Sequence, residues 1–186
     1  MKTSRRNFIQ QTALFTSVFT LGFDWFESKG AAMAIANEPG RFNAFLSIDS
    51  TGKIRLYSPN PEIGQGIKTA FPVVVAEELD VDWKHVEVLQ ANLDTQNFER
   101  QVTGGSGALK HSWERLRKAG ATVRQMMMQA AANQWKVDVS TCKTSQGFVL
   151  GPSGQKASYG SLATEAAQIP VPSTVTYKDR KDYKII

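Results

Sequence analysis

Two glycine-rich segments contain the residues best suited to hold a ligand. The first, Gly64-Gln65-Gly66, lies between a predicted strand and a predicted helix, and the second, residues 103–107, directly precedes another predicted helix. Glycine lets the backbone approach a ligand closely, and the free N–H groups at a helix start can bind an anion such as phosphate. Neither segment matches the P-loop or the dinucleotide-binding fingerprint. Both are therefore candidate anion sites, with an ordinary glycine turn as the alternative.

Other reactive side chains are sparse in this sequence. The two histidines, His85 and His111, lack the E-x-x-H spacing of a zinc protease, and we expect both at the surface or at helix caps. Glu77 and Glu78 are adjacent, which predicts different helix faces and argues against a paired acid and base. The single cysteine, Cys142, excludes an internal disulfide and is typical of a small core residue.

The charge balance is basic, because 22 Lys and Arg residues against 17 Asp and Glu residues give a net charge of +5. Clustered basic residues would suggest nucleic-acid binding, since Lys and Arg neutralise phosphates. The densest groups here, residues 110–118 and 178–184, are interleaved with acidic residues, which predicts a solvated helix face or loop. Hydrophobic residues make up 41% and charged residues 21%, as in soluble globular domains. We therefore expect a folded domain and no nucleic-acid partner.

The first 36 residues have the features of an export signal. A paired arginine, Arg5-Arg6, precedes the apolar run 12–23, and small-x-small patterns end at Ala34 and Ala36. This run of twelve residues is too short for a transmembrane helix. The segment resembles a bacterial twin-arginine (Tat) signal peptide, which implies the Tat export machinery as a partner and a periplasmic location. An amphipathic N-terminal helix of a cytoplasmic protein is the alternative.

Hydrophobic periodicity predicts the elements around the first glycine segment. Alternating apolar residues over 42–48 and 54–58, with a turn at residues 49–52, predict a β-hairpin. Helical spacing follows from Gly66 or later to about Leu79, and Pro72 is expected within the first turn of that helix. Residues 86–90 then predict a strand.

The second half of the chain predicts a longer helix and a second hairpin. Residues 91–109 indicate a long loop, and long loops in compact domains are usually functional or disordered. Apolar spacing from Trp113 to Trp135 predicts a helix of more than twenty residues. A hairpin with strands 142–149 and 156–158, a short helix over 159–167 and an extended tail over 169–186 complete the prediction.

Five separated sequence blocks agree in order and spacing with one known family. The chain resembles the N-terminal part of the large, molybdopterin-binding subunit of the isoquinoline 1-oxidoreductase type, within the xanthine dehydrogenase and aldehyde oxidase family. The blocks are Pro61-Glu62-Ile63-Gly64-Gln65-Gly66, residues 75–83 with 86–88, residues 103–106, residues 112–121, and residues 170–172 with 178–183.

The resemblance implies a fold, a cofactor and partners. It implies a mixed α/β fold in which residues 37–186 form part of a molybdopterin-binding domain, behind a signal peptide over residues 1–36. Such proteins oxidise N-heteroaromatic rings or aldehydes with oxygen from water, using molybdenum bound to molybdopterin cytosine dinucleotide. Electrons pass to a small subunit that carries the 2Fe-2S clusters. The metal is held by ligands of the cofactor rather than by protein side chains.

The resemblance also assigns roles to individual residues. Gln65 matches a glutamine that donates a hydrogen bond toward an oxo ligand of molybdenum, and Gly64 and Gly66 make room for the cofactor. The second loop, with Gly104, Gly105 and Ser106, matches a segment that contacts the pterin or the dinucleotide phosphates. Trp113 and Arg117 are expected to position the helix behind that loop.

The family places its general-base glutamate and further cofactor loops in later parts of the large subunit. We therefore expect this segment to need the remainder of the large subunit for catalysis. The alternative is a non-catalytic exported α/β module that binds a nucleotide-like ligand or docks a partner.

Overall fold

The computed structural model describes residues 18–21 and 45–185. The predicted signal peptide and its cleavage sites lie outside the described residues, except for Val18–Leu21, whose backbone forms strand β1. None of the helices in the described ranges combines the length and apolar character that a membrane span requires.

A four-stranded sheet has the order β1-β2-β3-β4. β2 (Leu46–Asp49) and β3 (Ile54–Ser58) form the predicted antiparallel hairpin, with Leu46 opposite Leu56. β3 then pairs in parallel with β4 (Val86–Gln90), which requires a crossover connection. Helix α1 (Ile67–Leu79) supplies that crossover, so that the loop carrying Gln65 lies at the end of β3.

Helix α2 (Ala108–Trp135) lies against α1 at a very short interhelical distance. A Cβ atom added to Gly120 would lie 2.6 Å from the Val75 carbonyl oxygen and 3.0 Å from the Glu78 Cβ. A glycine is therefore required at this crossing. The core formed by the sheet and the two helices includes Leu56, Phe71 and Leu116, each fully buried.

Pro72 is not in the first turn of α1, contrary to expectation, but is its sixth residue. Proline lacks an N–H and would normally interrupt a helix at that point. The lost hydrogen bond is the one to the carbonyl of Lys68, an exposed residue at the start of the helix, while the proline ring itself is buried. The position is tolerable because the unpaired carbonyl belongs to an exposed residue and the proline ring is buried in the core.

The second sheet contains three strands, β5 (Lys143–Ser145), β6 (Phe148–Leu150) and β7 (Lys156–Ser158). The predicted single strand over 142–149 is wrong, because Gln146 and Gly147 form a two-residue turn with φ values of 50° and 77°. Positive φ at both positions is the geometry of a tight hairpin turn. Helix α3 (Tyr159–Ala166) follows β7, as predicted.

The C-terminal tail packs on α1, and it is neither fully extended nor a solvated basic segment. Residues Arg180–Asp182 form a short 3-10 helix. The Lys178 side chain is only 7% exposed and its Nζ lies 2.6 Å from Glu77 Oε1, while the more exposed Lys184 Nζ lies 2.7 Å from Asp80 Oδ1. The basic residues of the tail therefore neutralise the acidic end of α1.

Glu77 and Glu78 are both 1% exposed. Glu77 Oε2 accepts hydrogen bonds from the Ile185 N–H (2.6 Å) and the Lys184 N–H (3.0 Å). Glu78 Oε1 accepts two bonds from Arg117 of α2, at 2.9 and 2.7 Å, and Glu78 Oε2 accepts the Lys178 N–H. As expected for adjacent residues, the two carboxylates have different main partners, Arg117 of α2 for Glu78 and the tail for Glu77, although both also contact Lys178.

Replacing Gly120 with alanine tests the close helix crossing. Alanine normally stabilises a helix interior relative to glycine, but here its methyl group would collide with the α1 backbone. We expect Gly120→Ala to lower the free energy of unfolding by about 2 kcal/mol, measured by urea denaturation. The control Lys110→Ala, at an exposed position of the same helix, should change it little. Equal stability of Gly120→Ala and wild type would contradict the close packing.

Acid should release the tail through Glu77. Burial raises the pKa of Glu77, but hydrogen bonds from the Lys178 side chain and from the Ile185 and Lys184 amides outweigh burial and hold it below the ordinary value of 4.5. A depressed pKa in the folded state contributes stability above the unfolded-state pKa, and this stability is lost as pH falls through the folded-state value.

We expect solvent exchange at the Lys184 and Ile185 amides, measured by NMR, to rise below about pH 4.5. Glu77→Gln should abolish this titration and lower the free energy of unfolding by about 3 kcal/mol, because Lys178 loses its charged partner. A titration of these amides that survives in Glu77→Gln would rule out this carboxylate as its origin.

Candidate functional site

The first glycine loop is stabilised by a carboxylate from its own sequence. Glu62 Oε1 accepts the N–H groups of Gly64 (2.8 Å) and Gly66 (3.0 Å), and its Oε2 accepts the Lys68 N–H (3.0 Å). The amides of Lys68 and Gly66 are the main reasons that the pKa of Glu62 is lowered. The expectation that these N–H groups bind an external anion is therefore wrong for this structure, because Glu62 already occupies them.

Gln65 is exposed and its amide is turned back onto the loop. Its Oε1 accepts the Ile63 N–H at 2.6 Å, and its Nε2 donates to the Pro61 carbonyl oxygen at 2.8 Å. An amide nitrogen has two N–H donors. The second is directed at Thr103 Oγ1 at 3.5 Å, the outer limit of a hydrogen bond. One donor of Gln65 is thus held firmly and the other only weakly.

The structure brings the two predicted glycine loops side by side. The Thr103 hydroxyl donates to the Pro61 carbonyl oxygen at 2.8 Å, so that this oxygen accepts from both loops. Beneath them, the buried Asn60 side chain donates to the Val102 carbonyl oxygen at 2.9 Å. These contacts join segments about 40 residues apart in sequence.

The second loop reverses direction immediately before α2. Gly105 and Ser106 have φ values of 59° and 52°, and Gly107 is the N-cap of the helix without a side-chain cap. A Cβ atom on Gly107 would lie 2.7 Å from Arg100 Nη1, so the end of the Arg100 side chain would have to move to admit it. Arg100 in turn donates to the Gly104 carbonyl oxygen at 3.3 Å.

Open space lies in front of both loops. A Cβ atom would meet no other atom within 4 Å at four of the predicted site glycines: Gly64, Gly66, Gly104 and Gly105. The exposed apolar side chains Ile63 and Val102, at 70% and 54% exposure, border the same region. The site is therefore an open surface formed by the two glycine loops, with the Gln65 carboxamide and the Ser106 hydroxyl exposed beside them.

The long loop between β4 and α2 is ordered by packing rather than by regular structure. Phe98 meets Phe45 edge to face, with ring centroids 5.2 Å apart. A cavity of about 250 Å³ lies beside this contact, at the start of α2, and its lining includes Arg100, His111 and Arg115. Arg115 is paired with Glu99.

A larger cavity, of about 1430 Å³, lies between α2 and the tail. Its lining includes Arg124, Gln125 and Tyr177, and none of the predicted site residues contributes to it. The predicted site and this cavity are therefore separate features.

The cysteine and the two histidines lie outside the paired glycine loops. Cys142 is buried, and burial raises the pKa of its thiol, as expected for a core cysteine. His85 and His111 are exposed. No cluster of three or more His, Cys, Asp or Glu side chains is arranged to hold a metal ion within residues 45–185. Trp113 packs against the core, and Arg117 connects α2 to α1 through Glu78.

Sequence reasoning missed Asn60 and the structural roles of Glu62 and Thr103, although both of these residues lie in segments that it selected. Helix-capping rules examine the N-cap residue itself, which is Gly66. Glu62 lies four positions before that residue and reaches the helix only because the intervening loop curls back. Asn60 and Thr103 act across the two loops, which no local pattern describes.

Comparison with known proteins gives a consistent result. The family model of the molybdopterin cofactor-binding domain matches residues 16–184. The chain is 32% identical over 183 residues to isoquinoline 1-oxidoreductase subunit beta of Brevundimonas diminuta, covering 91% of this chain and 23% of that protein. It is 29% identical over 121 residues to a membrane-bound aldehyde dehydrogenase (pyrroloquinoline-quinone) of Gluconacetobacter polyoxogenes, covering 65% of this chain and 15% of that protein.

The fold is similar to that of a solved enzyme. CO dehydrogenase from Oligotropha carboxidovorans matches with a TM-score of 0.54 and 17% identity, over 71% of this chain and 18% of that one. The likeness supports the mixed α/β fold. The chain spans less than a quarter of the length of each of these relatives.

Replacing Thr103 with valine tests the contact between the loops. Valine keeps the shape of threonine but cannot donate to the Pro61 carbonyl oxygen, and we expect a loss of about 1 kcal/mol in the free energy of unfolding. The Gln65 side-chain amide resonances should shift in NMR spectra. Thr95→Val, at an exposed threonine of the same long loop, is the matched control. Unchanged Gln65 resonances in Thr103→Val would show that the two loops are not coupled.

Proposed function

Because this chain belongs to the molybdopterin cofactor-binding domain family, we propose that it forms part of the cofactor site in the large subunit of a periplasmic molybdenum hydroxylase. The proposed enzyme oxidises an N-heteroaromatic ring or an aldehyde, takes oxygen from water and passes electrons to a small 2Fe-2S subunit. The observation that carries the proposal is the pairing of the two glycine loops at the Pro61 carbonyl oxygen.

The residues at the paired loops fit such a cofactor. The four open glycines leave room for a large ligand to approach the backbone. The exposed side chains of Gln65 and Ser106 offer uncharged donors at these loops. Neutral donors suit a molybdenum centre that brings its own ligands, because they orient an oxo group without adding charge.

We assign separate tasks to the two loops. The first loop uses the weakly held N–H of Gln65, which is available to an oxo ligand while the other N–H keeps its bond to the Pro61 carbonyl oxygen. The second loop, through Gly104, Gly105 and Ser106, contacts the pterin or the phosphates of molybdopterin cytosine dinucleotide. When bound, the molybdenum cofactor supplies the two-electron oxidation of the substrate. The chain itself binds and orients that group.

The substrate class follows from the relatives and is part of the proposal. The relative that covers most of this chain is named for isoquinoline, which favours an N-heteroaromatic ring, and the second is named as an aldehyde dehydrogenase. The name of the second also includes pyrroloquinoline quinone. The family match and the neutral donor set favour molybdopterin for this chain, and a direct assay of bound cofactor separates the two.

Export is proposed from the leader sequence. Arg5-Arg6 ahead of an apolar run is typical of Tat substrates, which cross the membrane already folded around a cofactor. This order of events suits a domain whose loops close on a large ligand. The test is cell fractionation of a double variant, Arg5→Lys with Arg6→Lys. We expect this variant to remain in the cytoplasm, and unchanged export would contradict the proposed route.

The cofactor assay is made on the chain purified with and without the other parts of the large subunit and the small subunit. Molybdenum is measured by elemental analysis, and the cytosine nucleotide and pyrroloquinoline quinone by mass spectrometry. We expect molybdenum and cytosine nucleotide in equal amounts in the assembled protein and little of either on the separate chain. Pyrroloquinoline quinone in place of molybdenum would overturn the proposal, and a full complement of cofactor on the separate chain would show that it binds unaided.

Gln65→Ala tests the role of the carboxamide in the assembled enzyme. We expect kcat to fall about a hundredfold, as for loss of one donor to a developing charge, while the free energy of unfolding changes by less than about 1 kcal/mol because the residue is exposed. The control Gln168→Ala, at an exposed glutamine after α3, should retain full activity. A folding defect in Gln65→Ala with unchanged kcat would show that Gln65 is structural.

A further inference from the structure

Glu62 has a role that no local pattern in the sequence indicates. Its two carboxylate oxygens accept three backbone N–H groups, from Gly64, Gly66 and Lys68, which enclose the position of Gln65. A helix start attracts anions because its first N–H groups point outward without partners. At the start of α1 the chain fills that position with its own negative charge.

The same bonds define the backbone that carries Gln65. Gly64 and Gly66 have φ values of 95° and 81°, so the loop turns twice through the left-handed region around this residue. Between these turns, the Gln65 side chain accepts the Ile63 N–H and donates to the Pro61 carbonyl oxygen. Glu62 therefore bonds to both glycine turns, and the Gln65 carboxamide forms two further hydrogen bonds within the same loop.

On the basis of the proposed function, we infer that Glu62 is a positioning residue for Gln65 and an internal anion that excludes phosphate from the start of α1. The first loop then presents a carboxamide, and the phosphates of a dinucleotide are directed elsewhere. Glu62 acts by fixing the loop and by accepting amides at the start of α1 that would otherwise attract a phosphate group.

A purely structural cap would give a different result from a positioning residue. Loss of a cap lowers stability wherever it lies, but only a positioning residue changes the Gln65 carboxamide and the anion preference of this loop. Asp138 provides a matched control, because its Oδ1 accepts the Ser140 N–H at 2.7 Å at the start of a short 3-10 helix, Val139–Thr141. The hydroxyl and the amide of Ser140 lower the pKa of Asp138, and backbone amides of the loop lower that of Glu62.

The experiment compares NMR spectra of the full chain in wild type, Glu62→Gln, Glu62→Ala and Asp138→Ala. In Glu62→Ala we expect solvent exchange at Gly64, Gly66 and Lys68 to rise about fivefold, as loss of a net hydrogen bond predicts, with a shift of the Gln65 side-chain amide. Glu62→Gln keeps one acceptor oxygen and should give a smaller effect. Asp138→Ala should change Ser140 and leave Gln65 unchanged.

Titration with inorganic phosphate tests the second part of the inference. Wild type should show no phosphate-dependent shift at Gly66 and Lys68, whereas Glu62→Ala should show a saturable one, because the amides are then free and the repelling charge is gone. A shift at these amides in wild type, or unchanged Gln65 resonances in Glu62→Ala, would overturn the inference. These measurements need no bound cofactor. A failure of this inference can therefore be distinguished from a failure of the proposed function, which the cofactor assay tests.

Discussion

The rest of the structure depends on two adjacent buried carboxylates, Glu77 and Glu78, at the end of α1. A buried charge is costly unless it is paired and hydrogen-bonded. Here the compensation comes from two distant parts of the chain, Arg117 on α2 and the tail residues Lys178, Lys184 and Ile185. The two carboxylates have all their hydrogen-bond partners only when α1, α2 and the tail are packed together. The cluster therefore couples the packing of these three elements.

This constraint reaches the candidate site through the helices themselves. The loop with Gln65 leads into α1, and the loop with Gly104 and Gly105 leads into α2. The ion pair between Arg117 and Glu78 and the close crossing at Gly120 set the relation between the two helices. The starts of the helices, and therefore the two loops, are placed beside each other as a consequence. The bonds of Asn60 and Thr103 then complete the alignment at short range.

The chemistry of the site follows from what the loops leave unpaired. Glu62 satisfies the amides at the start of α1, so the first loop offers a neutral carboxamide rather than an anion site. The second loop has no comparable side-chain cap at Gly107. The two loops therefore differ in whether a carboxylate from their own sequence accepts amides at the helix start. This difference suits the role that we propose for this segment. In that role the first loop donates a hydrogen bond to the metal end of the cofactor, and the second loop binds the anionic nucleotide end.

The sequence by itself determined the local elements and the family. The β2–β3 hairpin, the start of α1 at Gly66, the long helix ending at Trp135 and the two glycine loops follow from patterns within a few residues, because hydrophobic period and glycine placement act locally. The Gln146-Gly147 turn and the bonds of Glu62 are local features that the sequence patterns did not show, whereas only the tertiary structure decided the burial of Pro72 and of Lys178. The physical reason is distance along the chain: Glu77 meets partners more than 100 residues away, and a charge is stable in the core only where folding brings its partners together.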